Sequence, residues 1–396
     1  MITKREIMEF VKEFQLRADV IEKDYVLGWI LAGIAQQTEL MENLIFKGGT
    51  CLKKCFFETY RFSEDLDYTV INDKYMDEQS LTDVFKKISI WVHNETGIEI
   101  PENFIYFEKY RNIAGKETIE GRIGYIGPMQ RRNSTARIKF DLTADEILVS
   151  EPEYRQVHHL YSDRPEAGIR AKCYNFPELF AEKIRALSER LRPRDLYDVI
   201  HIYRHAFLNT KPTKVLSILE KKCEYKKIPV PTVELLNQHS KKIELELEWS
   251  NMLNHQLFML PPYEQFWQDL PEVFEWLHNG KSKEVKDSIQ INLNNIDNKW
   301  QPPSMINIWR TQAPVEFVRY AGANHLCIEL IHGKYKKLVE PYDLKRTLDG
   351  QLILISVEHK TGNIENHSLD EINKINISST AFKPRYAIKL TPFNEK

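Results

Sequence analysis

No apolar run in this chain is long enough to cross a membrane. The longest, VLGWILAGIA from Val26 to Ala35, falls short of the roughly 20 residues a spanning helix needs and reads as a buried helix. The opening MITKREIMEF places charges where an export signal would carry its apolar core, so the protein is expected to be cytoplasmic, with no membrane partner. Cysteine is scarce: Cys51, Cys55, Cys173, Cys223 and Cys327 include no CxxC pair, which argues against a disulfide framework and a zinc site. Cys51 and Cys55, one helical turn apart, read as core packing. A basic excess is missing too. The formal net charge of −2 excludes coating of nucleic acid through bulk charge. Local basic clusters remain at Lys53 with Lys54, Arg131 with Arg132, Arg190 to Arg194 and Lys221 to Lys227, each read first as a solvated face. There is no internal repeat or low-complexity tract.

What is present fits an ordinary globular protein of two or three domains: 396 residues, 42% hydrophobic and 28% charged. Ile7, Phe10, Val11 and Phe14 follow helical spacing behind a capping-box pattern of Thr3 and Glu6. Asp19 with Glu22 repeats that signal before a second helix. NLIF reads as a short buried strand ending at Gly48, and EDLDYTVI as the next strand. In TARIKFDLTADEILV, Ile138, Phe140 and Leu142 alternate with Arg137, Lys139 and Asp141, so one face is apolar and the other polar. PELFAEKIRALSERL is a helix with Pro177 near its first turn, and a further helix is expected from about Arg194 to Ala206. The chain then reads mostly helical to Leu277. NLNNIDNKWQPPS is the best linker candidate, and short β-type segments follow it.

The chemistry concentrates in FKGGTCLKKCFFETYRFSEDLDYTV, Phe46 to Val70. Gly48 and Gly49 allow a tight turn and close approach of a ligand, and Thr50 can cap the helix that follows, so the stretch is either a phosphate cradle or a plain strand-to-helix turn. Asp65 and Asp67 point to one side of a strand. Two such carboxylates repel unless a cation such as Mg²⁺ neutralises them; alone, they read first as a solvated polar strand face. Asp141, on the polar face of another strand, offers a third carboxylate to the same cluster.

IEKDYVLGWIL, FKGGTCLKK, RFSEDLDYTV, IKFDLTADE and AEKIRALSERLRPRDLYDV, taken in order, resemble the AbiEii/AbiGii toxin family of nucleotidyltransferases, over roughly Met1 to Leu277. The resemblance implies an α/β (α+β) nucleotidyltransferase fold, a mixed sheet with flanking helices over residues 1–206, completed by a helical segment at 207–288. It implies transfer of a nucleotide from an NTP with release of pyrophosphate, to an RNA end, notably of tRNA, in an antiphage or toxin–antitoxin system with a separately encoded antitoxin. On this chain Lys47, Gly48, Gly49 and Thr50, with Arg61 and Ser63, would hold the triphosphate. Asp65 and Asp67, with Asp141, would bind Mg²⁺, and Lys183 would pair with phosphate as a point charge. Asp195 or Asp198 would be the remaining acidic residue, as a base for the acceptor hydroxyl, or either merely favours its helix dipole. Arg61 contacts phosphate or pairs with a carboxylate. Lys23 and Asp24 read as an ion pair bracing the site, and His158 and His159 as loop or strand-end residues.

After a linker at 289–310, residues 311–396 resemble the WYL domain, a small SH3-like β-barrel, most specifically in VEPYDL at Val339 to Leu344. Leu352-Ile353-Leu354 stands where that family has Trp-Tyr-Leu, and the basic residue expected near His367 to Glu371 is replaced. A ligand-sensing role and simple packing on the toxin or its partner both stay open. Two other functions fit the same residues: an NTP-binding regulator without transfer, and nucleotidylation of a small molecule or protein.

Overall fold

The computed structural model describes residues 1–111, 115–133, 135–206, 210–280, 288–289, 295–302 and 315–390. The chain forms two compact units, one of Met1–Arg185 with Ser217–Val230, the other of Ala186–Leu216 with Pro231–Glu395. In the first, α1 (Lys4–Phe14) starts where the Thr3 hydroxyl accepts the Glu6 amide. Glu6 does not close the capping box; its carboxylate accepts from the amide and hydroxyl of Ser162. The second helix, α2 (Ala18–Gln36), has Arg17 at its boundary rather than Asp19. Asp19 pairs with Arg17 at 2.7 Å, and Glu22 is buried, accepting the Met129 amide. Most of the circumference of α2 is buried, so tertiary packing overrides the local cap signal.

A short helix, α3 (Thr38–Asn43), leads into a seven-stranded mixed sheet. Its strands are β1 (Leu44–Lys47), β2 (Asp65–Val70), β3 (Ile105–Arg111), β4 (Glu117–Tyr125), β5 (Ala136–Thr143), β6 (Glu153–Gln156) and β7 (Arg170–Cys173), in spatial order β3-β4-β5-β2-β1-β7-β6. Between β1 and β2 lie α4 (Gly48–Cys51) and a widened π-type turn, Leu52–Phe56. The β2–β5 and β1–β7 pairs are parallel, the others antiparallel. The alternation in β5 turns Ile138, Phe140 and Leu142 inward. There Phe85 of α5 (Glu78–Thr96) packs edge-on against Phe140, ring centroids 5.0 Å apart. The opposite face, with Asp65, Asp67, Lys139 and Asp141, is the polar one. β6 and β7 were not anticipated: four residues each is too short for a period to show, and pairing alone makes them strands.

Next come α6 (Phe176–Arg190), α7 (Pro193–Ala206) and α8 (Pro212–Lys226). The second unit holds α7 with α9 (Val233–Asn237), α10 (Lys242–Leu253), α11 (Tyr263–Asn279) and α12 (Val315–Ala323). It also holds an antiparallel sheet of β8 (Leu326–His332), β9 (Tyr335–Arg346), β10 (Leu352–Glu358), β11 (Ile364–Ser368) and β12 (Lys374–Ala381), ordered β11-β10-β9-β8-β12. The Tyr197 hydroxyl donates to Asn324 Oδ1 at 2.9 Å, and the Tyr320 hydroxyl to the Met259 carbonyl at 2.7 Å. Within this unit the helices and the β module therefore share buried polar contacts. Of the linker candidate, the described residues 295–302 are pinned, Asp297 to Arg346 at 2.6 Å; residues 290–294 and 303–314 lie outside those described.

Candidate active site

Strand register assembles the polar face. Lys47 of β1 lies opposite Asp67 of β2, which lies beside Asp141 of β5, which lies opposite Glu120 of β4. One row across four strands thus reads Lys47, Asp67, Asp141, Glu120. Asp65, two residues before Asp67, lies on the same face beside Lys139. Lys139 reaches Asp141 at 3.0 Å and Glu120 at 3.4 Å.

The glycine turn closes over this row. Gly48 has φ of +81°, which L side chains rarely adopt, and a Cβ there would sit 2.1 Å from Asp67 Oδ2. A Cβ on Gly49 would sit 2.5 Å from the Arg61 guanidinium and 3.1 Å from Ser63 Oγ. Gly48 is therefore required by its backbone conformation and the approach of Asp67, whereas a side chain at Gly49 would displace the end of Arg61 and crowd Ser63. Thr50 departs from expectation: it lies inside α4, not at its cap, and its hydroxyl donates to the Asp65 carbonyl, tying turn to strand.

Asp67 keeps part of its surface in water, yet protein crowds its carboxyl. Burial first, then Asp141, push its pKa up to about 6; Lys183 and Lys47 pull the other way and Asp65 adds to the rise. The turn, the two aspartates of β2, Asp141 and Lys183 of α6 are thus brought together electrostatically. The donor set is all oxygen and carries excess negative charge, which fits Mg²⁺ and not a soft ion. The fit is an open one: among the described residues, the three candidate ligands whose donor atoms lie within 4.8 Å of one another are cysteines, not Asp65, Asp67 and Asp141.

Lys47 is also held from behind. Its Nζ lies 3.8 Å from Glu182 and 3.9 Å from Glu146. Arg185 reaches the same two carboxylates, and Lys222 reaches Glu178 at 3.0 Å and Glu182 at 3.2 Å. Burial works to raise the Glu182 carboxyl, but Lys222, Arg185 and Lys47 overcome it and hold it well below the usual range. The sequence reading missed this network, whose only signal was the i, i+4 spacing of Glu178, Glu182 and, on α8, Lys222 and Lys226.

Several of the other expected residues have partners of their own. Asp195 and Asp198 lie on α7 in the second unit, both buried, with both Asp195 oxygens held by Arg190 at 2.7 Å. Lys23 and Asp24 do not pair with each other: Lys23 binds Glu64 at 2.6 Å and Asp24 binds Lys54 at 2.7 Å. Lys53 and Lys54 are not a surface patch either. Both are buried, Lys53 donating to the Glu58 carbonyl, because the π-type turn points them inward. His158 and His159 lie in the loop after β6, their imidazoles pushed down by burial, to about 4 for His158.

The family model described as nucleotidyl transferase AbiEii toxin, type IV TA system, matches residues 29–279. Among solved structures, the chain is similar to MenT4, a nucleotidyltransferase toxin from Mycobacterium tuberculosis H37Rv, at 16% identity and a TM-score of 0.49, over 70% of this chain and 90% of that one. It is similar to JHP933 from Helicobacter pylori at 15% identity and a TM-score of 0.42, over 67% and 94%. No curated protein matches it.

Proposed function

Because this chain belongs to the AbiEii nucleotidyltransferase toxin family of type IV toxin–antitoxin systems, we propose that it transfers a nucleoside monophosphate from an NTP to the 3′ end of an RNA, with tRNA as the acceptor class. The observation that carries this reading is the row of Lys47, Asp67 and Asp141 under Gly48. Phosphoryl transfer asks for positioning and charge neutralisation more than for covalent catalysis. A polar row of that composition beneath a glycine turn supplies both.

In this reading Gly48, Gly49 and Thr50 hold the triphosphate from the backbone side, with Arg61 and Ser63 at the edge of Gly49. Lys183 and Lys47 supply positive charge toward the phosphates. Asp65, Asp67 and Asp141 would hold Mg²⁺, which when bound neutralises triphosphate and carboxylate charge. The acceptor hydroxyl attacks the α-phosphorus, the bond to the bridging oxygen breaks, and pyrophosphate leaves. The hydroxyl proton goes to a carboxylate of α7. As the family resemblance implies, that base is Asp195 or Asp198. The resulting end-blocked RNA would no longer serve translation, and an antitoxin encoded separately would restrain the enzyme. The C-terminal sheet is read as a WYL-like module on its VEPYDL segment, which lies in β9.

The test incubates purified protein with each labelled NTP, Mg²⁺ and total RNA, beside an Asp67→Asn variant. Label in a tRNA-sized band from the parent alone supports the reading. No label in RNA removes the RNA acceptor, and equal labelling by the variant removes the metal site.

A further inference from the structure

Three cysteines distant in sequence meet behind the glycine turn. Cys51 ends α4, Cys55 lies in the π-type turn and Cys173 ends β7, yet their three sulfurs lie within 4.8 Å of one another. All are buried and none is in a disulfide. The sheet explains the meeting. Phe46 of β1 lies beside Cys173 on one side and opposite Tyr68 on the other, so Cys173 and Tyr68 share a face.

Two further observations point to a ligand. The Tyr68 hydroxyl is buried without a hydrogen-bond partner, within electrostatic reach of Cys55 and Cys51. An unpaired buried hydroxyl costs about 1–3 kcal/mol, and a metal-bound thiolate could accept a hydrogen bond from it. Positive charge is also in place: Arg155 and Lys54 both act on Cys55, and Arg155 Nε donates to the Cys55 carbonyl at 3.0 Å. Lys54 is already matched by Asp24 at 2.7 Å. Arg155 also pairs with Glu153 at 3.4 Å, so both cations already have carboxylate partners and the cluster would draw only on their field.

We propose that Cys51, Cys55 and Cys173 form a binding site for one thiophilic cation, Zn²⁺ or Cu⁺, held by three thiolates. A metal–sulfur bond of about 2.3 Å in a trigonal set separates the sulfurs by about 4 Å, so the observed spacing closes with small side-chain movement. The group contains no carboxylate or imidazole, which selects soft cations against Mg²⁺. Each thiol yields its proton to solvent as the ion binds, and because the cluster is buried the ion enters as the chain folds. Once bound, it would join α4, the π-type turn and β7, fixing the turn that carries Gly48 and Gly49. The site does not depend on the transferase reading, since metal retention can be measured in the Asp67→Asn variant.

The experiment refolds the full chain from reducing guanidinium with one equivalent of Zn²⁺, Cd²⁺ or Cu⁺, strips loosely held metal on a chelating resin, and measures bound metal by elemental analysis. The parent, Asp67→Asn and the Cys223→Ser/Cys327→Ser control should each retain one ion, with a sulfur-to-Cd²⁺ charge-transfer band in the ultraviolet. Retention by Cys51→Ser and Cys173→Ser should fall by about tenfold or more, since even outer-shell partners are worth that much. Absence of retained metal in the parent with all three ions overturns the proposal, as does undiminished retention in a Cys51→Ser/Cys173→Ser variant. Should the serine variants fail to fold, the charge-transfer band of the parent decides by itself: its absence overturns the site.

Discussion

Replacing Asp67 by asparagine separates what the carboxylate does for chemistry from what it costs the fold. In metal-free protein the Asp67 carboxyl titrates at about 6 instead of 3.8, through burial first and Asp141 second. The folded chain therefore holds this proton more tightly than the unfolded chain does. Below about pH 3.8 both states are protonated and nothing is lost. Between there and about pH 6 stability falls as pH rises, and above pH 6 the full penalty persists. A displacement of about two pH units corresponds to about 3 kcal/mol, an upper bound because part of Asp67 stays in water; about 1–2 kcal/mol is expected after screening. Asparagine carries no charge, so Asp67→Asn in EDTA should be more stable than the parent by about 1–2 kcal/mol at pH 8, and no more stable at pH 4. Urea denaturation followed by circular dichroism at pH 4, 6 and 8 measures the difference. Added Mg²⁺ should stabilise the parent alone and narrow the gap, while RNA labelling by the variant is lost. A parent–variant difference that does not change with pH, or a variant less stable at pH 8, would refute the assignment of Asp67 as an under-compensated carboxylate.

Gly48→Ala places a Cβ 2.1 Å from Asp67 Oδ2 at a φ of +81°; it should cost about 1–2 kcal/mol in backbone strain and abolish labelling, read by a thermal melt and the transfer assay. Asp24→Ala leaves the buried Lys54 ammonium without its carboxylate and should cost about 3–5 kcal/mol in urea denaturation. Glu178→Ala removes one of the two carboxylates on Lys222, Glu182 remaining, and the acceptor for the Val149 and Ser150 amides, for a smaller loss of about 2–3 kcal/mol. Asparagine at whichever of Asp195 and Asp198 is the base should slow single-turnover transfer by about 10²–10⁴-fold, the range for loss of a general base, and at the other by much less. Small effects of both would remove the base from α7.

What could be read ahead of folding depended on the range over which each signal acts. The β5 alternation and the glycine pair are local, so the polar face and the turn were legible from a few residues each. β6 and β7 had too few residues for a period, and their existence rests on pairing, of β7 with β1 and of β6 with β7. Lys53 and Lys54 look like a basic patch in one dimension, but a long cationic side chain goes wherever its partner is. Here the partners are the Glu58 carbonyl and the Asp24 carboxylate, the latter 30 residues away.

A reactive centre and the charges that adjust it differ in the same way. The DxD of β2 and the glycines are close in sequence because the turn must meet the strand it closes over. The charges that set the behaviour of Asp67 come from β1, β5 and α6, and those that hold Lys47 come from α6 and residues around Glu146. Exchanging Glu182 for glutamine should therefore leave every DxD and glycine contact intact. It would still free Lys47 toward Asp67, lowering the pH at which Asp67 gives up its proton and bringing Mg²⁺ binding, followed by isothermal titration, to lower pH. An unchanged pH dependence in Glu182→Gln would show that Lys47 is held by Glu146 alone.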